Sequence, residues 1–379
     1  MKNLAISGKV SQDLRILFNS SGDSELLENG LLFFPMGRDA LLSGLLKLGV
    51  KSGDHIISPA FMCHSTIANL EALGFRIIYI DVTHDFQLDK VMLDHAIKKF
   101  EVKAILAVHY FGYSQDLKWL CKICNKKKIV LVQDCSHSFF SKIPKYDIDV
   151  QRHFMISSLR KSLPIKDGGV LKMISPNIKN NENFGARNWK VGEFSYILVR
   201  LLESIVLRIG WPNIYSDKID KLKKLLRTKK NSNSKNSNFE FLFEMPNSVS
   251  RLTRKYLANK AYISNIKEKT VDNFKFLKVS IEDLGVEVAI NELPLGSIPQ
   301  YIVLRDSGGE LVDYLRGKGV AAARWPGDDL PEAVRVNKAN FPVTLEFNES
   351  LALLPVHASL SHHQCEKIVR QVKVWKSMQ

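Results

Sequence analysis

Lys161 stands three residues after the pair Ser157-Ser158 and seven residues before Gly168-Gly169, in the stretch ISSLRKSLPIKDGGV (156–170). Upstream, Asp134 closes the apolar run IVLVQD (129–134). A lysine amine can hold an aldehyde as a Schiff base. A carboxylate at a strand end can keep a pyridine nitrogen protonated, so that the ring acts as an electron sink. Pyridoxal phosphate needs these two protein groups most, and the pairing predicts an enzyme, an aminotransferase before any other. Alone, each residue has an ordinary explanation: Lys161 as a surface lysine near a turn, Asp134 as a helix cap. The combination and its setting carry the expectation.

That setting is a βα alternation. GRDALLSGLLKL (37–48) has apolar residues at helical spacing, and HIISPA (55–60) reads as a short buried strand ending at Pro59. A helix is expected over 66–73, a strand over 75–82 and an amphipathic helix over 89–100. Strands over 102–112 and 129–134 flank a helix at 116–127, and GGVLKMI (168–174) adds a further strand. Near-continuous apolar strands alternating with helices predict a mainly parallel sheet covered on both faces. Ligands of such sheets sit beyond the carboxyl ends of the strands, where Pro59, His109 and Asp134 fall. The second half is less regular: an apolar helix over 194–211, one long helix over 248–276, then strands and short helices fitting a smaller α+β domain. The expected division is a large domain over 1–240 and a small one over 241–379.

Composition sets outer bounds. The 379 residues are 45% hydrophobic and 25% charged, enough for two domains with a large core. No stretch approaches the length of a transmembrane helix, and the N-terminus has no signal-peptide pattern, so a cytoplasmic location is expected. The five scattered cysteines fit reduced thiols. Cys121 and Cys124 form a CxxC inside a helical pattern, with no second pair to complete a zinc site, and no metal is expected. Much of the net charge of +15 is concentrated in the lysine-rich run 218–235, read with its Asn/Ser continuation to 238 as a solvated insertion dispensable for the chemistry. No specific nucleic-acid partner is expected. The helix over 194–211 is a core or dimer-contact helix or, alternatively, one lying weakly on an anionic membrane surface.

The order of these elements and their end residues resembles the DegT/DnrJ/StrS family of pyridoxal-phosphate sugar aminotransferases, of the aspartate-aminotransferase-like fold (fold type I). The matching segments are GRDAL (37–41), GDHIISPAFMCHSTIANLEALGFRIIYIDV (53–82), AVHYFG (107–112), VQDCSHS (132–138), SSLRKSLPIKDGGV (157–170) and LALLPVHASLS (351–361). The resemblance implies pyridoxal 5'-phosphate as cofactor, Lys161 as its covalent anchor and Asp134 as partner of the pyridinium nitrogen. It places His137 near the phenolic oxygen, and Gly37, Arg38 and Asp39 at the helix start that receives the phosphate. Asp39 takes a threonine's place there, and its carboxylate is expected to cap the helix instead. Ser157 or Ser158 would add a hydroxyl to the phosphate. Cys63 occupies the position of a ring-stacking aromatic, which passes stacking to His64 or weakens it. His109 and His357 read as structural.

The resemblance further implies an amino-acid donor, typically glutamate, a keto-sugar acceptor linked to a nucleotide, and a homodimer with sites at the subunit boundary. A sugar dehydratase of the same family is the enzymatic alternative, but there a histidine commonly replaces the lysine. A basic, membrane-associated scaffold that kept the fold is the non-catalytic alternative, and it needs neither Lys161 nor Asp134.

Overall fold

The computed structural model describes residues 6–13, 16, 30–142, 151–174, 249–290 and 292–379. The helix expected over 194–211, the basic tract 218–238 and the expected domain boundary at 240 lie outside the described residues. Elements are numbered among the described residues.

Seven strands form one sheet: β1 (Leu31–Phe34), β2 (His55–Pro59), β3 (Arg76–Ile80), β4 (Val102–Val108), β5 (Val130–Asp134), β6 (His153–Ser158) and β7 (Gly169–Met173). Their spatial order is β1-β7-β6-β5-β4-β2-β3. Pairings from β6 across to β3 are all parallel, while β7 runs antiparallel to both β6 and β1. Between the strands lie α1 (Gly37–Lys47), α2 (His64–Ala72), α3 (Lys90–Lys99) and α4 (Lys118–Lys127). Successive strand residues face opposite sides. Ile56, Leu106 and Val132 therefore pack in one core with Leu41 and Leu45 of α1 and Ile67 and Leu70 of α2. Their neighbours Ile57, Ile105 and Leu131 pack in another with Leu93 of α3 and Leu120, Cys121 and Cys124 of α4. The CxxC cysteines are thus part of an apolar core, and burial pushes both thiols up in pKa.

Two strands have no counterpart in the alternation read from the sequence. β1 is four apolar residues, too short to show a period. β6 ends in two serines and reads locally as loop, yet it lies between β5 and β7.

In the second half, α5 (Arg251–Ala258) and α6 (Lys260–Glu282) precede β8 (Tyr301–Arg305), α7 (Leu311–Gly317), α8 (Glu332–Val336), α9 (Pro342–Ser350), β9 (Leu351–Pro355) and α10 (His362–Lys376). The single helix expected over 248–276 is broken. Asn259 takes φ −88° and ψ 86°, and its side chain accepts from the Tyr262 amide at 2.9 Å, so it ends α5 and caps α6. Ile263 and Ile266 at the start of α6 still share the core of α5. Leu252, Tyr256 and Leu257 of α5 pack with Phe33 of β1 and Leu159 and Leu163 beside Lys161. Phe274, Leu277 and Ile281 of α6 join the antiparallel β8–β9 pair and α10 in a separate core.

One buried carboxylate ties the two halves together. Asp81, just past β3, accepts from the amides of Val343 (3.0 Å) and Thr344 (2.9 Å) and from Thr344 Oγ1 (2.6 Å) at the start of α9. It also accepts from the amide of Val82 at 2.9 Å. Replacement by alanine strands several buried donors, so Asp81→Ala is expected to cost about 2–4 kcal/mol. Urea unfolding measures it, and a loss below about 1 kcal/mol would show that α9 does not depend on this cap.

Candidate active site

Strand register builds the site. Asp134 pairs with Ile156, so β5 and β6 end on the same edge of the sheet, and β6 runs directly into a 3-10 turn over Leu159–Lys161. The Leu159 amide donates to the Gly168 carbonyl at 2.8 Å and closes the loop. Gly168 has φ +106°, which side-chain-bearing residues rarely adopt, and a Cβ on Gly169 would overlap the Met36 carbonyl. The Gly-Gly pair therefore lets β7 return close against the start of α1, and with it fixes the turn that presents Lys161. Asp167 anchors the same loop by accepting from the Ser250 amide at 2.7 Å, at the start of α5.

Lys161 is exposed along the wall of a cleft, and its amine end reaches His137. Nζ lies 2.9 Å from His137 Nε2. Desolvation by the walls lowers the lysine's pKa, and the negative field of Asp134 opposes the shift. Asp134 is buried, and its Oδ1 accepts from the Ser136 amide at 2.8 Å. His137 is also buried. Burial, and then the Lys161 charge, hold its pKa well below the ordinary value, so it is a neutral acceptor for the lysine. Its Nδ1 is buried without a partner among the described residues. The imidazole lies between Phe111 (stacked, centroids 5.4 Å apart) and Trp325 (edge-on, 5.0 Å).

At the start of α1, Gly37 and Arg38 have no carbonyl behind them in the helix to take their amide protons. Asp39 Oδ2 accepts from the Met36 amide at 3.1 Å, so its carboxylate is turned back onto the cap. Gly37 packs on the Ser157 carbonyl and beside Ser158 Cβ. Ser157 Oγ donates to the Cys135 carbonyl at 2.9 Å, whereas Ser158 faces the helix start.

Cys63 caps α2 and is half-buried; burial pushes its thiol up to about 12, against the influence of Lys161 and with that of Asp329. Asp329 arrives from the second half of the chain and accepts from Ser65 Oγ (2.7 Å) and the Ser65 amide (3.2 Å). His64 departs from its expected place. Its Nε2 bonds to Glu71 Oε2 at 2.9 Å, two turns along α2, and among the described residues no contact joins it to the Lys161 group. Glu71 is fixed in turn by Tyr79, whose hydroxyl donates to Oε1 at 2.9 Å. That carboxylate was the competing partner.

His109 belongs to a buried relay below the site. The Gln115 amide donates to its Nδ1 at 3.0 Å, which places its proton on Nε2, and Nε2 donates to Gln133 Oε1 at 2.9 Å. Gln133 Nε2 in turn donates to His153 Nε2. Burial lowers both histidines to about 4, from an ordinary 6.5. Depressed values mean that the unfolded chain takes up the protons first. The stability they contribute is whole above about 6.5 and is lost as pH falls toward about 4. The melting temperature is expected to decline over that interval, and less steeply in His153→Gln; an unchanged slope in the variant would remove His153 from the account. His357 is likewise tied to backbone, its Nε2 2.8 Å from the Ser7 carbonyl.

Phe111, Trp325, Gln300, Tyr301 and Asp329 were not anticipated around Lys161. Phe111 carried a local signal, lying in AVHYFG between a strand end and a glycine, and it takes φ +55°. The others come from segments more than 130 residues distant from Lys161, and nothing local in them marks a site.

A family model described as the DegT/DnrJ/EryC1/StrS aminotransferase family matches residues 34–148, which span α1, Asp134 and His137. The chain is 26% identical over 327 residues to a 3-oxo-glucose-6-phosphate:glutamate aminotransferase of Bacillus subtilis, covering 81% of this chain and 70% of that protein. A shorter match, 33% identical over 104 residues, is to a UDP-2-acetamido-2-deoxy-3-oxo-D-glucuronate aminotransferase of Pseudomonas aeruginosa, covering 27% of this chain and 29% of that protein. The fold is shared with NtdA of Bacillus subtilis, solved with bound cofactor PMP: the TM-score is 0.64 at 17% identity, over 98% of this chain and 79% of that one. With its mixed sheet flanked by helices, the chain has the fold of these aminotransferases, and its residues 34–148 match the model of the DegT/DnrJ/EryC1/StrS aminotransferase family.

Proposed function

We propose that this chain is a pyridoxal-5'-phosphate-dependent aminotransferase that moves an amino group from glutamate to a keto-sugar, nucleotide-linked or phosphorylated, for surface polysaccharide or secondary-metabolite sugars. The observation that carries the reading is the Lys161 amine, 2.9 Å from a neutral His137 and within the field of Asp134. The names of the relatives support donor and acceptor, since they specify glutamate and 3-oxo sugars. The lysine itself favours transamination over dehydration.

The residues fit the cofactor. The orphaned His137 Nδ1 suits contact with a phenolic oxygen, and the crowded Gly37 start of α1 suits a phosphate held by backbone amides. When bound, pyridoxal phosphate supplies an electron sink. The chain's own residues do the rest. Lys161 would anchor the cofactor covalently and, once released, would carry a proton from the donor's Cα to the cofactor carbon that bore the aldehyde; its lowered pKa raises the share of free amine. Asp134 keeps the pyridine nitrogen protonated. Gly37, Arg38 and Ser158 hold the phosphate, with Ser157 committed to the Cys135 carbonyl and Asp39 to the helix cap. Cys63 lines the ring side, and His64 beside it is held at Nε2 by Glu71. A homodimer completing the site, and a cytoplasmic location, belong to the same proposal.

Protein loaded with the cofactor should show a visible absorption band that borohydride removes, leaving the label on Lys161. Glutamate should bleach the band with release of one equivalent of 2-oxoglutarate, and a panel of keto-sugars should restore it. If no amino acid bleaches the band, the aminotransferase reading fails. Loss of water from a sugar without use of a donor would favour the dehydratase.

A further inference from the structure

The sheet has two edges of opposite use. Asp134, His137 and Lys161 follow strand ends. The strand starts lie at the other edge, about 20 Å away along β4. Helices that join parallel strands run back along the sheet, so the last turns of α1, α3 and α4 arrive where β2, β4 and β5 begin. Arg152, just before β6, ties this edge together. Its Nη1 donates to the Lys128 carbonyl behind α4 at 2.9 Å, and its Nη2 to the Leu48 carbonyl behind α1.

This far edge is basic. Lys47 ends α1, Lys98 and Lys99 end α3, and Lys126 and Lys127 end α4, with Lys128 next; all are exposed. Exposed Lys51 and Arg76 and the half-buried Lys103 stand at or near the starts of β2, β3 and β4. Among the described residues, the acidic groups nearby are turned onto the protein. Asp54 accepts from the Lys51 amide at 2.8 Å, Glu101 pairs with Lys103, and Glu71 is bonded to His64 and Tyr79. Lysines in a last helical turn complement the helix dipole. Lys51, Arg76, Lys103 and Arg152 belong to no helix, so the dipole does not account for them.

Basic clusters of this size attract anionic lipid headgroups, and each lysine near such a surface strengthens binding by about fivefold. Nucleic-acid phosphates are gripped by backbone N–H groups and helix N-termini as well as by side chains. Here α1, α3 and α4 all present their carbonyl ends, which hold phosphates off, and only the long side chains reach outward. That arrangement suits a diffuse layer of headgroups better than a closely docked duplex.

We propose that the strand-start edge is a docking face for an anionic phospholipid surface, holding the protein with the Lys161 cleft turned toward solvent. The proposal is independent of the reaction at Lys161. Exposed charges are screened beyond about 8 Å at physiological ionic strength, well short of the site, so docking leaves the chemistry undisturbed.

Co-sedimentation of the full chain with phosphatidylcholine vesicles, with and without phosphatidylserine, tests it. Binding is expected only to the vesicles that contain phosphatidylserine, and it should fade as salt rises. The combined variant Lys51→Gln, Lys98→Gln, Lys99→Gln, Lys126→Gln and Lys127→Gln should bind at least about 10²-fold more weakly, with an unchanged melting temperature. A control with the same loss of charge, Lys218→Gln, Lys221→Gln, Lys223→Gln, Lys224→Gln and Lys229→Gln, should lose far less. An equal or larger loss in the control would trace binding to net charge or to the run 218–235 and overturn the proposal. So would absence of binding to the phosphatidylserine vesicles, or displacement from them by duplex RNA. Hydrogen exchange on the wild-type chain reads the orientation without any substitution: the vesicles should slow exchange over 98–101 and 126–129 and leave 159–163 unchanged. Protection of the Lys161 turn instead would reverse the orientation and overturn the docking face.

Discussion

Lys161→Ala is expected to lower transaminase turnover by at least about 10⁴-fold, since it removes both the covalent anchor and a proton-transfer group, the latter alone being worth up to about that factor. The fold should persist. The side chain opens on the cleft and is not part of an apolar core, while the turn that carries it is held by the Leu159–Gly168 backbone bond and by the Asp167 carboxylate on the Ser250 amide. Circular dichroism and melting temperature should therefore match wild type. The visible band should lose its borohydride-reducible component even if cofactor is retained by phosphate contacts. A variant that kept both that band and its activity would remove Lys161 from the mechanism.

Asp134→Asn should slow the glutamate half-reaction by at least about 10²-fold, the scale of one preorganised electrostatic group in a water-poor site. The substitution preserves shape: the asparagine Oδ1 can still accept from the Ser136 amide, so the turn into His137 is kept. Only the charge is lost, and with it the hold on the pyridinium proton. A second readout follows from the same charge. Asp134 now opposes the lowering of the Lys161 pKa. Its removal should shift the acid limb of the pH–rate profile downward, because the lysine would then lose its proton at lower pH. A half-reaction at near wild-type rate with an unmoved profile would sink the role.

The residues that carry the candidate site in the sequence, Lys161, Asp134 and His137, lie together in the fold. The parallel order of β2, β4 and β5 follows from apolar runs separated by helical periods, and Asp134 and His137 follow from where such runs end. Lys161 was marked by its distance to a glycine pair. The reason for that pair is local geometry, one glycine at φ +106° and one against the Met36 carbonyl. These are features of contiguous chain, where period, turn chemistry and strand ends are set by neighbouring residues.

Other features depended on parts of the chain that meet only after folding. The helix expected over 248–276 was broken because Asn259 found a better use as a cap. His64 was held by Glu71 instead of reaching the site, a choice settled by the Tyr79 hydroxyl that fixes the carboxylate. Trp325, Gln300 and Asp329 have no local mark of function; each acquires its role from what the fold sets opposite it. What the sequence determined by itself was the βα alternation and the Lys161/Asp134 pair, because both arise from short-range spacing. What only tertiary structure decided was which side chains surround that pair, because a hydrogen-bond partner or a packed ring more than a hundred residues away leaves no periodicity in the chain that contains it.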